Sequence, residues 1–135
     1  MSPLVVLNSL TPLEMEVFMP KVQIKNFSTP DEQQEVDRAS VATVNMPGGP
    51  IERSILKPGW RWSEHIKPMA GTEFCEVHHF GYVVSGQLGI RLKDGTELIA
   101  KAGDVLAVDA GHDGWVVGDE PVVVIDWGAT TNFGK

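Results

Sequence analysis

From Val41 to Trp127 the chain is cut at short intervals by residues that turn the backbone, and this punctuation limits its fold more than any other feature. The breaks are Pro47-Gly48-Gly49-Pro50, Lys57-Pro58-Gly59, Ser85-Gly86, Lys93-Asp94-Gly95, Ala102-Gly103-Asp104 and Gly118-Asp119-Glu120-Pro121. Glycine supplies the positive φ of tight turns, and proline fixes φ and removes a donor, so no long helix runs through these points. Between them lie eight short runs: Ser40–Asn45, Ile51–Leu56, Val77–Val84, Leu88–Leu92, Glu97–Ala100, Val105–Val108, Trp115–Val117 and Val122–Trp127. Short β-like runs joined by turns predict an all-β sandwich or barrel. Asp94-Gly95, between two alternating runs, is the strongest hairpin signal.

Residues 1–40 read as an arm with one or two short helices, ahead of a barrel over 41–135. Thr11-Pro12-Leu13-Glu14 has the form of a capping box with proline at the first helical position, and Met15, Val17, Phe18 and Met19 follow before Pro20. Thr29-Pro30-Asp31-Glu32 repeats the start signal, which predicts a short surface helix over Pro30–Asp37. A chain of 135 residues suits one domain.

Eleven Lys and Arg against eighteen Asp and Glu leave a net charge of −7. That field repels phosphate backbones and anionic lipid surfaces, so neither nucleic acid nor a membrane is an expected partner. Apolar runs such as Val122–Ile125 fall well short of the ~20 residues that span a bilayer. Cys75 is the single cysteine, which rules out an intramolecular disulfide. No basic residue precedes Lys21, so the start lacks the n-region of a secretory signal, and a cytoplasmic location is the expectation.

All four histidines, His65, His78, His79 and His112, lie within Pro58–Val117 together with Cys75. Imidazole, thiolate and carboxylate are the usual ligands of zinc and of redox-active transition metals, and a metal held between the walls of a β-barrel takes ligands from separated segments. The spacing of these residues meets that demand.

Gly59 followed by five residues and His65 matches the start of a motif of the form G-x5-H-x-H-x3–4-E-x6-G. Counting back from Gly86 places His79 where that motif carries its glutamate, and Lys67 stands at its second histidine, with an insertion around Pro68–Glu76. Gly103-Asp104, Gly111 and His112 follow a second motif, G-x5-P-x-G-x2-H-x3-N, with Asp109 in place of proline and Gly114 in place of the usual histidine. In these features Ile51–Trp127 resembles the cupin superfamily, and in particular small single-domain cupins with a PGWxW…H and a GHDxW segment. The resemblance implies a double-stranded β-helix, or jelly-roll, barrel. It also implies a site for one divalent transition metal ion (zinc, iron, nickel or manganese) held by His65, His79 and His112, with Cys75 a candidate in place of the missing histidine.

Strand parity sharpens this set. If His79 points into the barrel, Gly81 and Val83 share its face while His78, Phe80 and Tyr82 point outward, which disfavours His78 as a ligand. Cys75 is either a small buried hydrophobe or a thiolate ligand. An ammonium cannot bind a cation, so Lys67 is expected to be a surface charge. Glu73 and Glu76 are expected to be solvated, with Glu73 a reserve ligand, and Asp113 has a structural or ligand-orienting part. Trp60 and Trp62, read as sharing one strand face, and Trp115 and Trp127 are either core and rim or an apolar mouth around the metal.

Two functions fit this reading. One is a metal-binding cupin that takes a small organic molecule in the barrel, as an oxygenase or isomerase with no assignable general base. The other is a non-catalytic sensing or interaction module with a structural metal. Four protein ligands would favour the second, three with an open position the first. Because open barrels leave strand edges that arms or partners cover, a homodimer is also expected.

Overall fold

Each of the eight runs falls on a strand in the computed structural model, which describes residues 21–127. The strands are β1 (Glu32–Val36), β2 (Ala39–Met46), β3 (Gly49–Leu56), β4 (His79–Ser85), β5 (Gln87–Leu92), β6 (Glu97–Lys101), β7 (Val105–Val108), β8 (His112–Val116) and β9 (Val122–Asp126). Two short helices, α1 (Trp62–His65) and α2 (Lys67–Ala70), lie between β3 and β4. A six-stranded sheet in the order β1-β2-β3-β9-β4-β7 faces a three-stranded sheet β6-β5-β8, and every pairing is antiparallel. This is an all-β jelly-roll barrel.

The inward faces follow from period-two alternation. In β9, Val122, Val124 and Asp126 are buried and Val123 and Ile125 are half-buried; in β8, His112, Gly114 and Val116 are the buried set. On β4, Gly81 and Val83 are buried while Phe80, Tyr82 and Val84 are exposed, as parity requires. The core joins these inward residues to Leu56, Trp60, Trp62 and Ile66. Asp94-Gly95 makes the β5–β6 hairpin, with Gly95 at φ 91°.

One expected helix is a strand. The sequence predicts a helix over Pro30–Asp37, but Glu32–Val36 pairs along β2 from Glu32↔Thr43 to Val36↔Ala39. A polar run has no apolar stripe to commit it to a helix, whereas the free edge of β2 satisfies its backbone groups. Asp31, expected in a helical first turn, instead accepts the Asn45 N–H at 2.8 Å and pairs with Lys25. The helix expected after Thr11 lies outside the described residues.

The segment after Gly59 also departs from extended structure. Trp62 opens α1, and Pro68 sits in the first turn of α2, which ends at Gly71 in the left-handed conformation. Trp60 and Trp62 therefore do not share a strand face, yet both rings are buried.

Candidate metal centre

The chain returns from α2 to the barrel through Cys75. Its N–H donates to the His112 carbonyl at 2.8 Å, and its own carbonyl accepts the Gly111 N–H at 2.7 Å, so this bridge sets Cys75 beside His112 at the start of β8. His79 opens β4 on the opposite sheet. Donor atoms of Cys75, His79 and His112 all lie within 4.8 Å of one another, with Cys75 Sγ 3.7 Å from His79 Nε2 and the two imidazole rings 5.1 Å apart.

Both imidazoles are oriented from behind. His79 Nδ1 lies 2.7 Å from Asp126 Oδ2, and His112 Nδ1 lies 2.8 Å from the Asp109 carbonyl oxygen. A carboxylate and a carbonyl can only accept, so each Nδ1 carries a proton and donates it, and each ring presents its Nε2 to the Cys75 sulfur. Asp126 is itself buried and accepts a further bond from the Phe80 N–H at 3.3 Å.

A scan against family models finds no match, and a search of curated proteins finds none. Solved structures do match. A protein of unknown function from Rhizobium leguminosarum superposes with a TM-score of 0.57 at 16% identity, over 80% of this chain and 98% of that one. Ectoine synthase from P. lautus gives 0.57 at 12% identity over 82% and 80%, and KdgF from Halomonas sp. gives 0.52 at 18% identity over 75% and 87%. The chain has a cupin fold. At such identities the likeness is one of fold alone, and the chemistry of this cupin barrel rests on its own residues.

Those residues form a charged pair. Burial pushes the Cys75 thiol up, but hydrogen bonds from His112 and His79 outweigh it and bring its pKa down to about 6. Burial likewise depresses His79, and the bonds to Asp126 and then Cys75 overcome that and raise it to about 9. Without metal the neutral-pH state is thiolate beside imidazolium. A divalent cation would displace the imidazolium proton and meet one soft anionic and two imidazole donors, a set that zinc and related metals favour.

The other residues singled out in the sequence stand apart from this group. His65 folds back on its own helix, where Nδ1 accepts the Arg61 N–H at 3.0 Å and Nε2 faces Asp37 at 3.7 Å. His78 points outward toward Asp109, and Lys67 pairs with Glu73 at 2.9 Å on the surface. Asp113 accepts the N–H groups of Ser63 and Gly114 and so ties α1 to β8. Asp126 was not singled out in the sequence, although a carboxylate at an inward position of the run Val122–Trp127 is a legible signal.

The cluster lines a cavity of about 220 Å³ between the sheets. Its wall is mostly apolar, with Leu56, Trp60, Trp62, Leu88, Ile90 and Leu106 among the lining. The donor atoms therefore face a mostly apolar cavity that is open at its mouth.

Proposed function

We propose that this cupin binds one divalent transition metal ion through Cys75, His79 and His112, and uses the remaining coordination position to bind a small organic molecule in the barrel. One observation carries the reading: two histidines from opposite sheets each have Nδ1 tied to an acceptor, which aims both Nε2 atoms at the Cys75 sulfur. Oriented imidazoles backed by a carboxylate or carbonyl are the usual support of metal ligands. Thiolate with imidazole suits zinc, iron or nickel better than manganese, which favours oxygen donors. When bound, such an ion supplies Lewis acidity, and three protein ligands leave a position for substrate or water, which favours an enzyme over a closed structural site.

A thiol nucleophile is the competing use of Cys75, His79 and Asp126, whose order matches a base-activated cysteine. The nearby backbone donors argue against it. The N–H groups of Cys75, Gly111 and His112 are all spent on the Cys75–His112 bridge, and that of Val77 on the Cys75 sulfur itself, so none of these is left for a developing oxyanion.

The test is metal analysis of protein purified without chelator, followed by cobalt(II) substitution. The expected result is one ion per chain and a thiolate-to-cobalt charge-transfer band that Cys75→Ser abolishes. Protein that takes up no ion, or a cobalt spectrum unchanged in Cys75→Ser, would overturn the assignment.

A further inference from the structure

We infer that the ligand of this barrel is a neutral molecule about the size of one substituted aromatic ring, carrying a single oxygen or nitrogen donor, and is neither a sugar nor an organic anion. The inference rests on the metal reading above and adds the ligand class.

Size sets the first limit. A cavity of about 220 Å³ exceeds the ~150 Å³ engineered cavity that admits benzene and falls below the ~300–1,000 Å³ of common ligand sites. One ring with a short substituent fills it. Polarity sets the second. Apart from the three donor residues and the indole N–H groups of Trp60 and Trp62, the polar side chains of the lining are Ser54, Thr72, Glu76 and Asp126. Thr72 Oγ1 donates to the Phe74 carbonyl, Asp126 is engaged by His79 and Phe80, and Glu76 pairs with Lys93. Among the described residues of the lining, the Ser54 hydroxyl and the buried Trp60 Nε1–H are left without such a partner. A sugar would bury several hydroxyls against the faces of Trp60, Trp62 and Leu88 with too few partners to satisfy them.

Charge sets the third limit. A divalent ion with the Cys75 thiolate and the Asp126 carboxylate sums to zero, the Glu76 carboxylate is balanced by Lys93, and no lysine or arginine lines the cavity to receive an anion. An anionic ligand would bring an uncompensated charge into an apolar space, whereas a neutral alcohol or carbonyl oxygen completes the coordination without one.

The test uses zinc-loaded protein titrated with benzyl alcohol, benzoate and glucose, read by calorimetry and by fluorescence of the tryptophans that line the cavity. Benzyl alcohol is expected to saturate one site, benzoate to bind more than about tenfold more weakly, and glucose not to bind. Leu106→Trp, which fills the cavity, should abolish benzyl alcohol binding while the zinc content stays at that of the parent. Benzoate binding as tightly as benzyl alcohol, glucose binding, or no benzyl alcohol binding by zinc-loaded protein would overturn the ligand class and leave the metal site standing. Protein that holds no zinc would overturn the metal reading instead. Toluene then tests the ligand class alone: binding lost in Leu106→Trp supports it, and no binding overturns it.

Discussion

His79 Nδ1 and Asp126 Oδ2 are 2.7 Å apart, across the pairing of β4 with β9, and the aspartate is only 4% exposed. The contact fixes both the rotation of the imidazole and the nitrogen that carries its proton. Asparagine at 126 keeps the volume but removes the charge, and its amide N–H favours the opposite tautomer, with the proton on the nitrogen that would face a metal. Asp126→Asn is expected to weaken metal binding about 10–100-fold, the usual effect of losing such support, with the β-sheet spectrum retained. Competition against a chromophoric chelator measures this, and an unchanged affinity would detach Asp126 from the site.

The proton balance of metal binding follows from the same pair. Between about pH 6 and about pH 9, Cys75 is a thiolate and His79 an imidazolium, so uptake of an ion releases the His79 proton and none from the thiol. As pH rises through about 9 the imidazole is already neutral and the release falls away. As pH falls through about 6 the thiol must also lose its proton, so affinity drops more steeply. Calorimetry in buffers of different ionisation enthalpy reads the number directly. No release at pH 7.5 would mean that His79 is neutral in the metal-free protein.

His78 and His79 are neighbours in sequence with opposite surroundings, one paired with Asp109 on the outside and the other half-buried against Asp126. His79→Ala should remove the bond that helps hold Cys75 as a thiolate, and so slow its alkylation in metal-free protein at neutral pH as well as reduce metal content. His78→Ala should do neither. Equal effects in the two variants would contradict the alternation of β4. In the parent, removal of metal by a chelator should speed alkylation of Cys75, because a coordinated thiolate is shielded.

That alternation was readable from residues alone, and the reason is local. Period-two burial and turn residues act over a few positions, so the eight runs, the Asp94-Gly95 hairpin and the outward direction of His78, Phe80 and Tyr82 could be placed without tertiary information. Where two local patterns compete, the neighbouring chain decides. Glu32–Val36 satisfies either a polar helix or an edge strand, and the open side of β2 selects the strand. His65 became a candidate through its spacing from Gly59, which presumes extended backbone, but Trp62–His65 is helical and turns the imidazole back onto Arg61. Asp126 depends on a strand pairing distant in sequence, and the partner of its carboxylate is visible only once β4 and β9 are adjacent.

The segment bearing α1 is held against the barrel through the Trp115 ring. Trp115 on β8 lies opposite Gly89 on β5, and a Cβ at residue 89 would fall within the indole ring. The Arg61 guanidinium also stacks on Trp115 at 4.8 Å, and Asp113 faces that guanidinium at 3.7 Å while capping the Ser63 N–H. Gly89 thus supplies the clearance that lets one ring join the small sheet to the helical segment. Gly89→Ala is expected to displace the indole and destabilise the fold by about 1–3 kcal/mol, the usual cost of overpacking, and to lower the thermal midpoint by several degrees. The cause is separable by a double-mutant cycle. In a Trp115→Ala background the obstruction is gone, and alanine in a strand interior is then favoured over glycine by about 0.5–1 kcal/mol, so the second substitution should be neutral or stabilising. Additive losses in the two substitutions would show that Gly89 is required for its backbone and not for the space it leaves to Trp115.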